Sequence, residues 1–139
     1  MNIYEEIEKA LTTLGIGYLP GIYDVQAENG ILCNLDSNDH YPICFHALED
    51  SINYLENGMI ERTMRMYMFD LILPTPENII SDILPVKNAL ELLVRRFARE
   101  LDKTVTTTLL NQESGHHLMA ETEWGQRFEI KCKYFEPCS

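Results

Sequence analysis

Positive charge is what this sequence has least of: 11 Lys and Arg stand against 22 Asp and Glu, for a net charge of −11. Affinity for phosphate backbones comes from Lys and Arg displacing counterions, so the composition excludes a nucleic-acid-gripping surface, and an anionic lipid surface on the same grounds. Long apolar runs are missing as well. None approaches the roughly 20 residues that a membrane span requires, and the opening MNIYEEIEKA carries acidic residues where a signal peptide places positive charge. The expectation is an intracellular protein with no membrane partner. Cysteine is sparse and scattered: Cys33, Cys44, Cys132 and Cys138 show none of the close pairing of a zinc site or a redox dithiol. They read as reduced thiols, three buried in strands and one near the C-terminus. Catalytic signatures are absent too, with no Gly-x-Ser-x-Gly elbow, no phosphate loop and no glycine fingerprint.

What is present describes one globular domain spanning residues 1–139, with 45% hydrophobic residues. A chain of this length buries enough surface to hold a core without disulfides or metal. Its charge is unevenly placed. Residues 1–61 hold one cation, Lys9, against eleven carboxylates, whereas residues 62–139 are close to neutral. One surface, then, is negative, and the other half of the chain is free to make contacts.

Hydrophobic spacing marks the elements. Asn2 and Glu5 have capping-box spacing, and Ile3, Ile7, Leu11 and Leu14 recur with helical period before Gly15, which predicts a helix over 3–14. Gly15 to Gly21 reads as a connector. Short strands follow at Ile22–Ala27 and Gly30–Leu35, joined through Asn29-Gly30, then a polar loop at Asp36–His40 and a strand at Tyr41–Leu48. Ser51–Leu55 and the turn Glu56–Gly58 lead into the longest strand, Met59–Leu73. From Tyr67 onward that strand is apolar on both faces except at Asp70, so one face calls for a cover from outside the chain. Thr75-Pro76 opens a helix that Pro85 should split into a short turn and a main helix at about 86–102. Strands at Val105–Leu110, His116–Trp124 and Arg127–Phe135 close the chain, with a loop at Asn111–Gly115 and a turn at Gly125. The fold class predicted is α+β: a mainly antiparallel sheet of about four to six strands with two helices packed on one face.

Three groups could carry chemistry. His116 and His117 lie near Glu121 and Glu123, but adjacent strand residues point to opposite faces, so one metal cannot take both in ideal geometry. Cys44 and His46 share a strand face, which permits a thiol–imidazole contact; buried core filling is the plainer reading. Met64, Met66 and Met68 alternate along the long strand, either as flexible core filling or as an adaptable contact surface. No metal and no cofactor is expected.

The short first helix, YPICFHALED followed by a hairpin and GMIERTMRMYMFDLI, the helix ending VRRFARELDK and the closing EIKCKYFEPCS are together similar in organisation to the tail-terminator or neck-ring proteins of tailed bacteriophages. That resemblance implies a non-enzymatic virion subunit, assembled in the host cytoplasm into a homo-oligomeric ring, sixfold or twelvefold. The ring surrounds the DNA channel at the head–tail junction, beside adjacent neck or tail proteins.

A two-sided apolar strand fits such a ring, since closed rings repeat one heterologous contact by rotation. An acidic lining would let DNA pass without binding it. The resulting expectation places Glu49, Asp50, Glu56 and Glu61 toward the channel, and Arg62, Met64, Arg65, Met66 and Met68 at the subunit interface. The rival class is an acidic DNA mimic that inhibits a nucleic-acid enzyme through phosphate-spaced carboxylates. A small enzyme using His46 or His116 is the third.

Overall fold

The computed structural model describes residues 2–19, 42–71, 79–116 and 123–135. The predicted strands Ile22–Ala27 and Gly30–Leu35, the loop Asp36–His40 and the helix opening at Thr75-Pro76 lie outside the described residues, as do Cys33, Cys138, His117 and Glu121. Within them the fold is α+β, as the sequence pattern predicts, with a five-stranded sheet in the order β1-β2-β3-β5-β4. These strands are β1 Gly17–Leu19, β2 Ile43–Tyr54, β3 Met59–Leu71, β4 Thr106–His116 and β5 Glu123–Phe135. All pairings are antiparallel except β1 with β2.

Helix α1 runs Ile3–Thr13. Asn2 Oδ1 accepts from the Tyr4 amide at 3.0 Å, a cap on the second helical residue. Gly15 ends the helix at φ +74°. The Ile16 amide then reaches Leu11 O at 2.9 Å and the Gly15 amide reaches Thr12 O at 3.1 Å, which is the Schellman pair. The predicted connector after Gly15 is in part a strand, because β1 takes its partners from Ile43–Phe45.

Helix α2, Leu84–Asp102, follows a π-helical turn at Ile79–Ile83. Pro85 sits in the first turn of α2, where its missing donor leaves no bond unmade. The break in the helix therefore falls where the proline predicts it.

Ile3, Ile7, Ala10 and Leu11 of α1, Leu90, Val94, Phe97 and Leu101 of α2, Ile60, Met64, Met66 and Met68 of β3 and Phe128, Ile130, Cys132 and Tyr134 of β5 belong to one hydrophobic cluster. In register, Ile60, Met64 and Met66 oppose Tyr134, Ile130 and Phe128. Cross-strand pairs of this kind are the unit of sheet stabilisation. Phe97 meets Phe128 edge-on at 6.1 Å between ring centroids, tying α2 to β5.

Three expectations change. The described parts of the two predicted segments, 43–48 and 51–54, belong to one strand, β2, because a bulge absorbs the polar stretch between them: His46 opposes Met66 while Asp50 opposes Met64. The predicted loop at Asn111–Gly115 is strand, with irregularities on either side of that pairing. Gly125 is no turn residue. It pairs with Phe69 inside β5, and a Cβ there would stand 2.3 Å from Phe69 Cε1. The glycine is present so that a ring can lie across the backbone.

Phe69 and Tyr67 also revise the reading of the longest strand. Both are buried in a single chain, at 0% and 1% exposure, on the face opposite the main cluster. At Tyr67 and Phe69 the second face of β3 therefore has its cover within the chain, and no outside cover is called for at these two residues.

Candidate functional site

Two regions stand out: a polar network at one margin of the core, and an uncovered apolar end of the sheet. The network begins with the β2 bulge. It inserts an even number of extra residues, so Asp50 returns to the same face as His46 and sits diagonally from Arg62 of β3. Arg62 Nη1 donates to Asp50 Oδ2 at 2.7 Å, with the two side chains only 15% and 11% exposed. Arg62 Nε donates to the Tyr134 hydroxyl at 2.9 Å. Tyr4, from α1, covers the pair: its hydroxyl donates to Asp50 at 3.3 Å and accepts from Arg62 at 3.4 Å, and the guanidinium carbon lies 5.7 Å from its ring centroid.

Burial opposes the charge on Arg62, but the hydrogen bonds to Tyr134 and Asp50 and the Asp50 charge outweigh it and hold the guanidinium more firmly protonated than usual. Burial and the Asp50 charge push the Tyr4 phenol up. The network continues through His46, which stacks on Tyr4 at 5.2 Å and lies 2.9 Å through Nε2 from the Tyr18 hydroxyl. Burial pushes the Tyr18 phenol up as well.

These contacts join α1, β1, β2, β3 and β5, and they pair the part-buried Arg62, Asp50 and His46 with partners from other elements. The arrangement is a fastening. Cys44 is fully buried beside it, and burial pushes its thiol up, which removes the thiolate a nucleophile requires. The Cys44 and His46 pair is thus core and network, not a catalytic dyad. His116 lies at the end of β4 opposite Gly125. Among the described residues no group of three His, Cys, Asp or Glu could hold a metal ion.

The expected interface residues separate. Met64, Met66 and Met68 are between 0% and 1% exposed within the main cluster. They are core residues with no surface to give a second subunit, since the even face of β3 is the one turned toward the cluster. Arg62 is spent on Asp50 and Tyr134, and Arg65 alone of the five is exposed.

The acidic set separates too. Asp50 is neutralised by Arg62. Glu61 stands 3.8 Å from Lys131 and 3.6 Å from Lys133 on the neighbouring strand. Glu56 is exposed at the hairpin tip. Glu49 lies within β2, but its side chain is outside the described residues. A continuous row of free carboxylates is therefore not what this segment presents.

The second region is the turn of the β2–β3 hairpin and the end of β5 beside it, where Phe135 pairs with Met59. Asn57 and Gly58 turn the hairpin with φ of 65° and 76°, the left-handed pair that Asn-Gly tolerates best. Around them Tyr54 is 75% exposed and Phe135 59%, with Ile52 and Leu55 also uncovered. Sequence reasoning singled out the Glu-Asn-Gly turn but missed this apolar tip. The available signal was NYLENGMI, a turn flanked on both sides by large apolar residues instead of the polar ones a free hairpin carries.

A cleft of about 180 Å³ lies between α2 and the β4–β5 pair, lined by Glu91, Arg95, Gln112 and Gln126. Gln112 Nε2 donates to Gln126 Oε1 and to the Glu91 carbonyl, each at 3.1 Å. Gln126 Nε2 is buried without a hydrogen-bond partner.

No family model matches the sequence, and none of the curated proteins compared with it matches either.

Proposed function

We propose that this chain is a structural subunit of a homo-oligomeric ring at the head–tail junction of a tailed bacteriophage, a tail terminator or neck component. The observation that carries the reading is the uncovered apolar tip of the β2–β3 hairpin. Tyr54, Leu55, Ile52 and Phe135 are exposed around the β2–β3 turn and the end of β5. Exposed apolar side chains around one turn of a strongly acidic chain, Tyr54 and Ile52 on the face of Ile60 and Phe135 on the face of Met59, offer contacts to a neighbour. The likeness in organisation to the neck-ring proteins supplies the kind of neighbour, namely further copies of the chain and the adjacent rings of the neck or tail.

On this reading the work is mechanical. The chain adapts one ring to the next, in the virion neck after assembly in the host cytoplasm, and it performs no catalytic step. The net charge of −11 keeps duplex DNA from adhering as it passes. With Asp50 and Glu61 held by internal cations, the field falls to exposed carboxylates such as Glu5 and Glu8 of α1. Sedimentation together with negative-stain microscopy tests the proposal. The expected result is a closed ring with a central hole wide enough for a duplex. A strict monomer at high micromolar concentration would overturn it.

A further inference from the structure

The hairpin tip has a complementary surface on the same molecule. Helix α2 turns an outer stripe toward solvent that contains Leu84, Leu92, Arg95, Arg96 and Arg99. Arg95, Arg96 and Arg99 follow Leu92 along the stripe. Among the described residues none of the three arginines makes an ion pair, whereas Lys87 and Lys103 pair with Glu91 and Glu100 on the same helix. At the inner edge of this stripe Arg95 borders the cleft that also holds Gln126, 1% exposed, with its unpartnered Nε2. A buried donor without a partner is unfavourable, and an incoming acceptor removes that cost.

The tip offers what this surface lacks. Glu56 is an exposed carboxylate with no ion pair among the described residues, and Tyr54 and Leu55 precede it as uncovered apolar side chains. We infer that the β2–β3 hairpin tip of one copy docks on the α2 stripe of the next, with Glu56 entering the cleft beside Arg95 and Gln126 while Tyr54 and Leu55 cover Leu92. The occupant is a second copy of this chain.

Charge decides for it: an acidic apolar tip meets an apolar stripe ending in three arginines. Arginine and tyrosine are also the side chains that carry most binding energy at interfaces. Because the two surfaces differ, the contact is heterologous and repeats by rotation, which yields a ring where the rotation closes. The inference rests on the ring reading above and names the contact that would build it.

Charge reversal on the full chain tests it, read by sedimentation. Glu56→Arg gives one variant, and Arg95→Glu with Arg99→Glu gives another; all three positions are exposed, and circular dichroism confirms that both variants fold. Each alone should raise the midpoint concentration for assembly by about tenfold or more. Mixing the two should restore the ring, because each variant's tip then meets an opposite charge on the other's stripe. Tyr54→Ser should weaken assembly on its own. A wild-type ring that survives both charge reversals, or two dissociated variants that fail to recombine, would overturn this contact and leave the ring standing. A wild-type monomer would remove both.

Discussion

The Arg62 guanidinium lies 2.7 Å from the Asp50 carboxylate with most of both side chains covered. Taking either partner away leaves a largely desolvated charge unpaired, which typically costs about 3 kcal/mol or more. Arg62→Met and Asp50→Leu should therefore each be strongly destabilising in urea melts. The double variant should lose far less than the two losses combined, because it leaves no lone charge. Additive losses would show that the pair is not felt by the fold.

Alkaline pH should unfold the protein earlier than its net charge alone predicts. Burial pushes the Cys132 thiol up to about 11, with the Thr107 hydroxyl and Arg62 pulling the other way, and burial also raises Cys44 and Tyr18. A thiol raised in the folded state holds its proton longer there than in the unfolded chain. Its contribution is complete below the unfolded value of about 8.5 and is lost as pH rises through the folded one. Urea midpoints should be level near neutrality and fall between about pH 9 and 11, with a shallower fall in Cys132→Val. Equal slopes for the two proteins would contradict the assignment.

Gly125→Ala should destabilise the fold by about 1–3 kcal/mol, the usual cost of overpacking. The added methyl would meet the Phe69 ring at 2.3 Å, and that ring is fully buried and cannot swing away. Phe69→Leu introduced into Gly125→Ala should recover part of the loss in thermal melts. If the alanine variant melts with wild type, the ring does not lie across this residue.

At Gly15 the cost is conformational alone. Its φ is +74° and nothing would meet an added Cβ within 4 Å. Gly15→Ala should lose about 1–2 kcal/mol, and Gly15→Asn less, since asparagine tolerates this region better. Comparable losses for both would point to a steric cause instead.

Met66 separates core from interface. Met66→Ala should cost about 2–5 kcal/mol through the cavity it opens, while Met66→Leu should cost less than about 1.5 kcal/mol and leave the sedimentation coefficient of the assembly unchanged. A leucine variant that folds normally but fails to assemble would return the methionine row to the interface.

Local signals were legible wherever the chain answers to its own neighbours. Asn2, Gly15, the Glu-Asn-Gly hairpin and Pro85 each act within a few residues, and each is found doing what its backbone chemistry requires. The period-2 run from Met59 announces β3 for the same reason. Signals that depend on a distant partner were not legible. Gly125 reads as a turn until Phe69 is known to lie over it, and Asp50 and Glu61 read as free acid until Arg62, Lys131 and Lys133 arrive from other strands. Glu49 to Ser51 looks like an interruption because a bulge leaves no mark on composition.

By itself the sequence determined the α+β class, both ends of α1, the turn between β2 and β3, the break before α2, and an acidic surplus concentrated before residue 62, since these follow from spacing, capping and charge along one chain. Only the tertiary structure decided which face of β3 is core. It buried the three methionines and matched Asp50 and Glu61 to cations of the second half. It also left Tyr54, Phe135 and the α2 arginines without cover, because exposure and pairing depend on which distant strands become neighbours, and that relation is written in no single stretch of residues.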